Sequence, residues 1–259
     1  MDISKFFDQN EKPLDNSVTN GGFCGIFRTI GCIGDSLSSG EFESCTDDGI
    51  TGWHDMYDYS WGQYLARDAG CKVYNFSRGG MNCRCFMESF GESCGAWSEI
   101  CPAYIIALGV NDIGDIKHGL IKLGTADDIG NPSNDTFVGA YANIIINLKR
   151  RQPDARFFLM TIPTETSETD EDKRLRDGHA ELLYTIAEKY KNCYILDFRK
   201  YAPVYDEEFK KRFFLRGHMN PMGYMLTARM VESYIDYIIR HNAEDFKQIG
   251  FIGTPHYQR

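Results

Sequence analysis

The sequence predicts an α/β fold in which a parallel sheet carries helices on both faces. Three observations predict it. Five short runs of near-continuously apolar residues, each bounded by turn residues, lie between positions 29 and 198. Segments with helical spacing separate them. The residues with the most chemical potential stand directly after the runs, where open parallel sheets place their ligands.

The runs are Thr29–Gly34, Cys71–Phe76, Ala103–Leu108, Arg156–Ile162 and Cys193–Phe198. A strand covered on both faces has no solvent side, so it loses the alternation of a half-buried strand and reads as apolar throughout. Between the third and fourth runs, Phe137, Ala140, Tyr141, Ile144, Ile145 and Leu148 recur three and four apart and share one helical face. Leu175, Leu182, Leu183, Ile186 and Tyr190 do the same before the fifth. A last helix is expected from about Pro221 to Ile239, with Pro221 in its first turn, where a missing N–H breaks no helical bond. Residues 1–27 are polar and carry Pro13, Gly21, Gly22 and Gly25. They read as an N-terminal arm lying over a single domain of residues 28–259.

Composition narrows the function classes. Apolar residues make up 42% of the 259, enough to fill a core, which excludes global disorder. No run of 18 apolar residues occurs, so no transmembrane helix and no stable membrane insertion are expected. The start, Met1 to Asn16, lacks a basic region followed by an apolar stretch and is read as carrying no secretory leader. A net charge of −9 disfavours nucleic acid as a partner, because phosphate binding needs a basic surface. Nine cysteines, an odd number, then suggest reduced thiols and a cytoplasmic location. Cys83, Cys85, Cys94 and Cys101 miss the paired C-x2-C spacing of structural zinc, so no metal is expected.

The first run ends in Ile33-Gly34-Asp35-Ser36-Leu37, which puts a serine at the ligand face. Ser36 could be a nucleophile or could simply cap the following helix. The second run leads to Arg78-Gly79-Gly80, where a glycine lets a backbone N–H approach a substrate or merely makes a turn. The third leads to Gly109-Val110-Asn111-Asp112, where the Asn111 amide could donate to an oxyanion or serve a turn. Near the C-terminus His218 stands on a loop just before the last helix. Taken together, these four positions supply a nucleophile, two oxyanion donors and a base, the set that acyl transfer requires.

With these blocks the chain resembles the SGNH hydrolase superfamily, the GDSL-type esterases and lipases. Gly34-Asp35-Ser36-Leu37 is similar to the first family block, Gly80 to the glycine of the second, Gly109-x-Asn111-Asp112 to the third, and His218 to the base of the fifth. The resemblance implies a three-layer α/β/α sandwich with a five-stranded parallel sheet, the flavodoxin-like arrangement of that superfamily. It implies Ser36 as nucleophile, His218 as base, and an oxyanion hole of the Ser36 and Gly80 N–H groups with the Asn111 side chain. It leaves residues 1–27 and an insertion, Gly40–Ser60, unexplained. It also meets a departure: the family's Asp three residues before the histidine is Leu215 here. Either the backbone carbonyl of Leu215 orients the imidazole, leaving a dyad, or an acid arrives from elsewhere, with Asp197 after the fifth run as first candidate.

Other motifs are set aside. Gly91-Glu92-Ser93-Cys94-Gly95 has the form of a nucleophile elbow, but no strand precedes Ser93. His118 ends the only literal D-x-x-H and reads as a surface residue or a substrate contact. His54 and Asp55 lie among Trp53, Tyr57, Tyr59 and Trp61, either a stacking rim for a sugar or ordinary packing of the first helix. Neither G-x-G-x-x-G nor G-x4-G-K-[ST] follows a strand, which disfavours dinucleotide or phosphate binding. The expectation is therefore a cofactor-free carboxylic-ester hydrolase with an acyl-serine intermediate and a small-molecule ester substrate, preferably a short acyl ester such as O-acetyl carbohydrate. A lysophospholipase or thioesterase, or a binding module that has lost its acid, are the alternatives.

Overall fold

In the computed structural model, which describes residues 3–258, strand β1 (Thr29–Gly34) lies inside the sheet with neighbours on both sides. Residues 1 and 2 of the expected arm lie outside the described residues. A single helical turn, α1 (Ser36–Ser39), follows β1 and leads into an antiparallel hairpin of β2 (Glu41–Cys45) and β3 (Thr51–Asp55). Next come α2 (Trp61–Ala69), β4 (Lys72–Ser77), β5 (Ala103–Ala107), α3 (Val110–Lys117), α4 (Phe137–Arg151), β6 (Arg156–Met160), α5 (Asp170–Lys189) and β7 (Cys193–Leu196). Two two-residue strands, β8 (Phe214–Leu215) and β9 (His218–Met219), precede α6 (Pro221–His241). The five-stranded sheet has the order β4-β1-β5-β6-β7 and every pairing in it is parallel.

Successive residues of a strand face opposite sides of its sheet, and the core divides accordingly. Ile105 and Phe158 pack with α2 and α6 residues such as Leu65, Tyr224 and Ile235. Their neighbours Ile106, Phe157 and Leu159 pack on the other side with Tyr141, Ile144, Leu183 and Ile186 of α4 and α5. This is the three-layer α/β/α arrangement that the sequence led us to expect.

The expected strands overran their ends. Leu108, Ile162 and Phe198 lie past the last paired residues of β5, β6 and β7, yet all three are buried. Their apolar character comes from packing beneath the site loops, and a hydropathy pattern cannot tell that from pairing. The second strand begins at Lys72, in register with Thr29, and its ammonium lies over the Tyr74 ring.

Residues before β1 run along α6. The Val18 N–H donates to Ser233 Oγ at 3.0 Å and the Phe23 N–H to Asp236 Oδ1 at 2.8 Å. Arg240 binds both oxygens of Glu11, at 2.6 and 2.7 Å, and also Asp236. Among the described residues no helix is long and apolar enough to cross a membrane, and the nine cysteines are unpaired thiols.

Candidate active site

Four chain segments meet at the carboxyl ends of the strands. At the end of β1, Asp35 caps α1 by accepting the Leu37 N–H at 2.9 Å. Ser36 is thereby the first helical residue, and the N–H groups of a first helical turn have no partner within the helix. Burial pushes the Asp35 carboxyl up to about 6.

Beyond β4, Met81 N–H bonds to Arg78 O at 3.2 Å and closes the turn containing Gly80. Gly80 has φ +70°, and a Cβ built there would meet nothing, so backbone conformation rather than space calls for glycine. Ser77 Oγ–H donates to Cys32 O at 3.1 Å, tying this loop to the strand that presents Ser36. Asn111 stands in the first turn of α3. Its Nδ2 donates to Met81 O at 3.0 Å, which joins the third loop to the second and leaves the other amide hydrogen to point elsewhere. Next to it Asp112 is buried, accepts the Cys83 N–H at 3.0 Å, and is pushed up to about 7 by burial.

His218 is carried by β9, at the far side of a tight turn from β8. Both of its ring nitrogens face carboxylates of the inserted hairpin. Nδ1 lies 3.4 Å from Glu43 Oε2 and Nε2 lies 3.1 Å from Glu41 Oε1. Glu43 also accepts from Arg216 Nε at 2.8 Å and from the Gly217 N–H at 2.9 Å, and the two hold its carboxyl below the usual range. Burial moves the Glu41 carboxyl the other way, upwards. The hairpin is pinned in place: Ser39 Oγ–H donates to Asp55 at 2.6 Å and Tyr224 O–H to Glu41 O at 2.6 Å.

Ser36, Gly80, Asn111 and His218 line one open cleft, together with Glu41, Trp53 and Arg78. With Nε2 facing Glu41, no hydrogen bond joins His218 to the Ser36 hydroxyl among the described residues. Catalytic hydrogen bonds of this type often tighten only when substrate is bound. Beside the cleft lies an apolar cavity of about 220 Å³ whose lining includes Trp61, Leu108, Val110, Met160, Ile162 and Met219.

Neither expected orienting group faces a ring nitrogen of His218 in this structure. Leu215 pairs with His218 through backbone alone, and the ring nitrogens face carboxylates rather than its carbonyl. Asp197 is buried after β7, at the edge of the sheet, where it accepts from Thr161 Oγ1 at 3.0 Å, Tyr184 O–H at 2.8 Å and the Lys200 N–H at 3.2 Å. Its oxygens are committed to holding strand ends together and capping the next turn.

Sequence reasoning missed Glu41 and Glu43. The available signal was a pair of glutamates two apart, inside an insertion, in a chain whose histidine loop lacks its acid. The set-aside motifs fall elsewhere. Ser93 lies in a helical stretch with its hydroxyl on Phe90 O, and His118 turns back onto Gly114 O. Of the four aromatic residues, Trp61 is buried, Tyr57 O–H donates to Val73 O, and Tyr59 packs edge-on against Phe42. Trp53 is 61% exposed and lines the cleft.

The GDSL-like Lipase/Acylhydrolase family model matches residues 32–226 of the chain. No curated protein matches it. Among solved structures, it is similar to a family two carbohydrate esterase from Clostridium thermocellum in complex with cellohexaose. That likeness has a TM-score of 0.61 at 16% identity and covers 88% of this chain and 66% of the other. It is similar to the acetyl xylan esterase AlAXEase, with a TM-score of 0.52 at 16% identity over 80% and 99%. A G-D-S-L family protein from Desulfitobacterium hafniense gives 0.52 at 17% identity over 80% and 99%.

Proposed function

The chain belongs to the GDSL-like lipase/acylhydrolase family, and from that premise we propose that it hydrolyses carboxylic esters through an acyl intermediate on Ser36. One observation carries the proposal: Ser36, Gly80, Asn111 and His218, from four separate chain segments, line a single cleft.

The chemistry follows from those groups. Ser36 Oγ attacks the ester carbonyl as His218 Nε2 takes its proton. Negative charge collects on the former carbonyl oxygen, toward which the Ser36 and Gly80 N–H groups and the free Asn111 amide hydrogen would donate. Preorganised donors of this kind each contribute about 10²–10³ in kcat. Collapse breaks the ester C–O bond, and the imidazolium returns its proton to the departing alkoxide. Water then attacks the acyl carbonyl with His218 again as base, and the acid and free Ser36 are released. Glu41 has to withdraw from Nε2 for this cycle to run.

The preferred substrate is a short acyl ester on a carbohydrate. The cleft is open, Trp53 offers an exposed ring for a sugar face, and two of the similar structures are of a family two carbohydrate esterase and an acetyl xylan esterase. The neighbouring apolar cavity favours a second reading, a longer acyl chain as in a lysophospholipase or thioesterase. A reducing compartment suits the nine unpaired thiols.

The test has two arms. A fluorophosphonate should label wild type at Ser36 and fail to label Ser36→Ala. A p-nitrophenyl ester series, run beside acetylated xylan oligomers, should show the highest kcat/KM for acetyl. An optimum at eight carbons or more would favour the longer-chain reading, and no label with no turnover would leave only a binding module.

A further inference from the structure

We propose that Glu43, delivered by the inserted hairpin rather than by the histidine loop, is the carboxylate that orients His218 and balances its charge. The inference rests on the reading of His218 as base. Glu43 touches no substrate in this scheme and is a positioning residue.

The geometry points to it in four ways. First, it meets the nitrogen that an orienting acid must meet. A base that serves Ser36 has to keep Nε2 toward the cleft, so its orienting partner belongs on Nδ1, where Glu43 lies 3.4 Å away. Glu41 lies on Nε2 and lines the cleft, so it blocks the working nitrogen instead.

Second, the strand geometry explains why both carboxylates arrive. Residues 41 and 43 are two apart on β2, opposite Asp55 and Trp53, and alternate residues of a strand share a face. That face turns toward the histidine turn.

Third, the turn is built to receive this carboxylate. Arg216 has φ +56°, in the left-handed region that few non-glycine residues adopt, and its side chain closes on Glu43 Oε1. Gly217 donates its N–H to Glu43 Oε2. A Cβ at position 217 would stand 2.8 Å from that same oxygen, so glycine is what lets the carboxylate approach.

Fourth, Arg216 and the Gly217 N–H hold Glu43 ionised, as a partner of an imidazolium must be. The other charged groups around the ring are Glu41 on Nε2, Asp35, which interacts electrostatically with the imidazole, Asp55, which interacts with Glu41, and Arg78 in the cleft. Asp197 plays no part, since its oxygens are bound to Thr161, Tyr184 and Lys200.

The experiment compares wild type, Glu43→Gln, Glu43→Asp and Glu41→Gln by the pH dependence of p-nitrophenyl acetate hydrolysis. In parallel, 15N NMR follows the His218 ring through its titration. Glu43→Gln keeps the shape and loses the charge. Its kcat should fall about 10²–10⁴-fold, since wrong-tautomer variants of Ser-His-Asp sites lose about 10⁴. KM should move less than about threefold. The His218 midpoint should fall, because removing an adjacent anion disfavours the protonated ring. Glu43→Asp should recover part of the rate, and Glu41→Gln, which removes the carboxylate facing Nε2, should lower kcat less than Glu43→Gln does. If Glu43→Gln does not fold, Gly217→Ala displaces the same carboxylate and should lower the midpoint too.

An active wild type with Glu43→Gln within about threefold in kcat and an unmoved His218 midpoint overturns the inference alone. So does an exchange of the two glutamate results. A wild type that neither turns over ester nor takes up fluorophosphonate overturns the ester-hydrolase reading, and this inference with it.

Discussion

Individual residues differ in how far the chain announces them. Ser36 is legible because its position follows from local sequence: an apolar strand, a glycine, a capping Asp, then the hydroxyl. Gly80 and Asn111 are legible for the same reason. The partner of the histidine is not, because it lies 175 residues away and depends on how one surface hairpin docks. Asp197 attracted attention because it follows a strand, but such a position serves structure as readily as chemistry. Here it binds Thr161, Tyr184 and the Lys200 N–H. Asp197→Asn should therefore lower the melting temperature, since an amide cannot accept all three bonds as a carboxylate does. Thermal melts and p-nitrophenyl acetate kinetics should separate the two effects, with kcat at a permissive temperature staying within about tenfold of wild type. A loss nearer 10⁴ in a folded variant would return Asp197 to the reaction.

Elements were legible to the degree that they are buried. The five strands of the sheet are apolar because both faces are covered, and α4, α5 and α6 show their core faces as helical spacing. The hairpin of β2 and β3 shows neither signal. Its residues are half-buried or exposed, and Glu41, Glu43 and Ser44 are not strand-forming types. It adds no strand to the five-stranded sheet, and its core contact is made by Phe42 against Tyr224. Replacing residues 41–55 by a short Gly-Ser linker should leave the circular dichroism near wild type. Turnover should drop by at least about 10², because the orienting carboxylate goes with it. A linker variant with wild-type kcat would reduce the hairpin to a surface ornament.

At the scale of the molecule, the succession of apolar runs and helical segments told the fold class, and the net charge told little about internal charge. Helix α6 crosses the core carrying Glu232, which is fully buried and has no side-chain hydrogen-bond partner among the described residues. Burial pushes this carboxyl up to about 7 from an ordinary value of 4.5. Between those values the folded chain keeps a proton that the unfolded chain has lost, so folding takes that proton up. The group's contribution to stability is full below about 4.5 and is lost as pH rises through about 7. Glu232→Gln keeps the uncharged shape at every pH. Its melting temperature should match wild type near pH 4.5 and exceed it at pH 8, by roughly 2–4 °C for each kcal/mol recovered. Equal melting temperatures at both pH values would mean that Glu232 is ionised at no cost in the folded chain.

The separation of Glu43 from His218 along the chain also bears on synthesis. Ser36 and Glu43 leave the ribosome within eight residues of each other, while His218 emerges some 175 residues later. On the proposed roles, Ser36 has no base until the segment carrying His218 has been made. The last helix follows His218 directly and packs on α2 and on the residues before β1, so docking that helix brings the base to the serine. On the proposed roles, the nascent chain turns over no ester until α6 is in place.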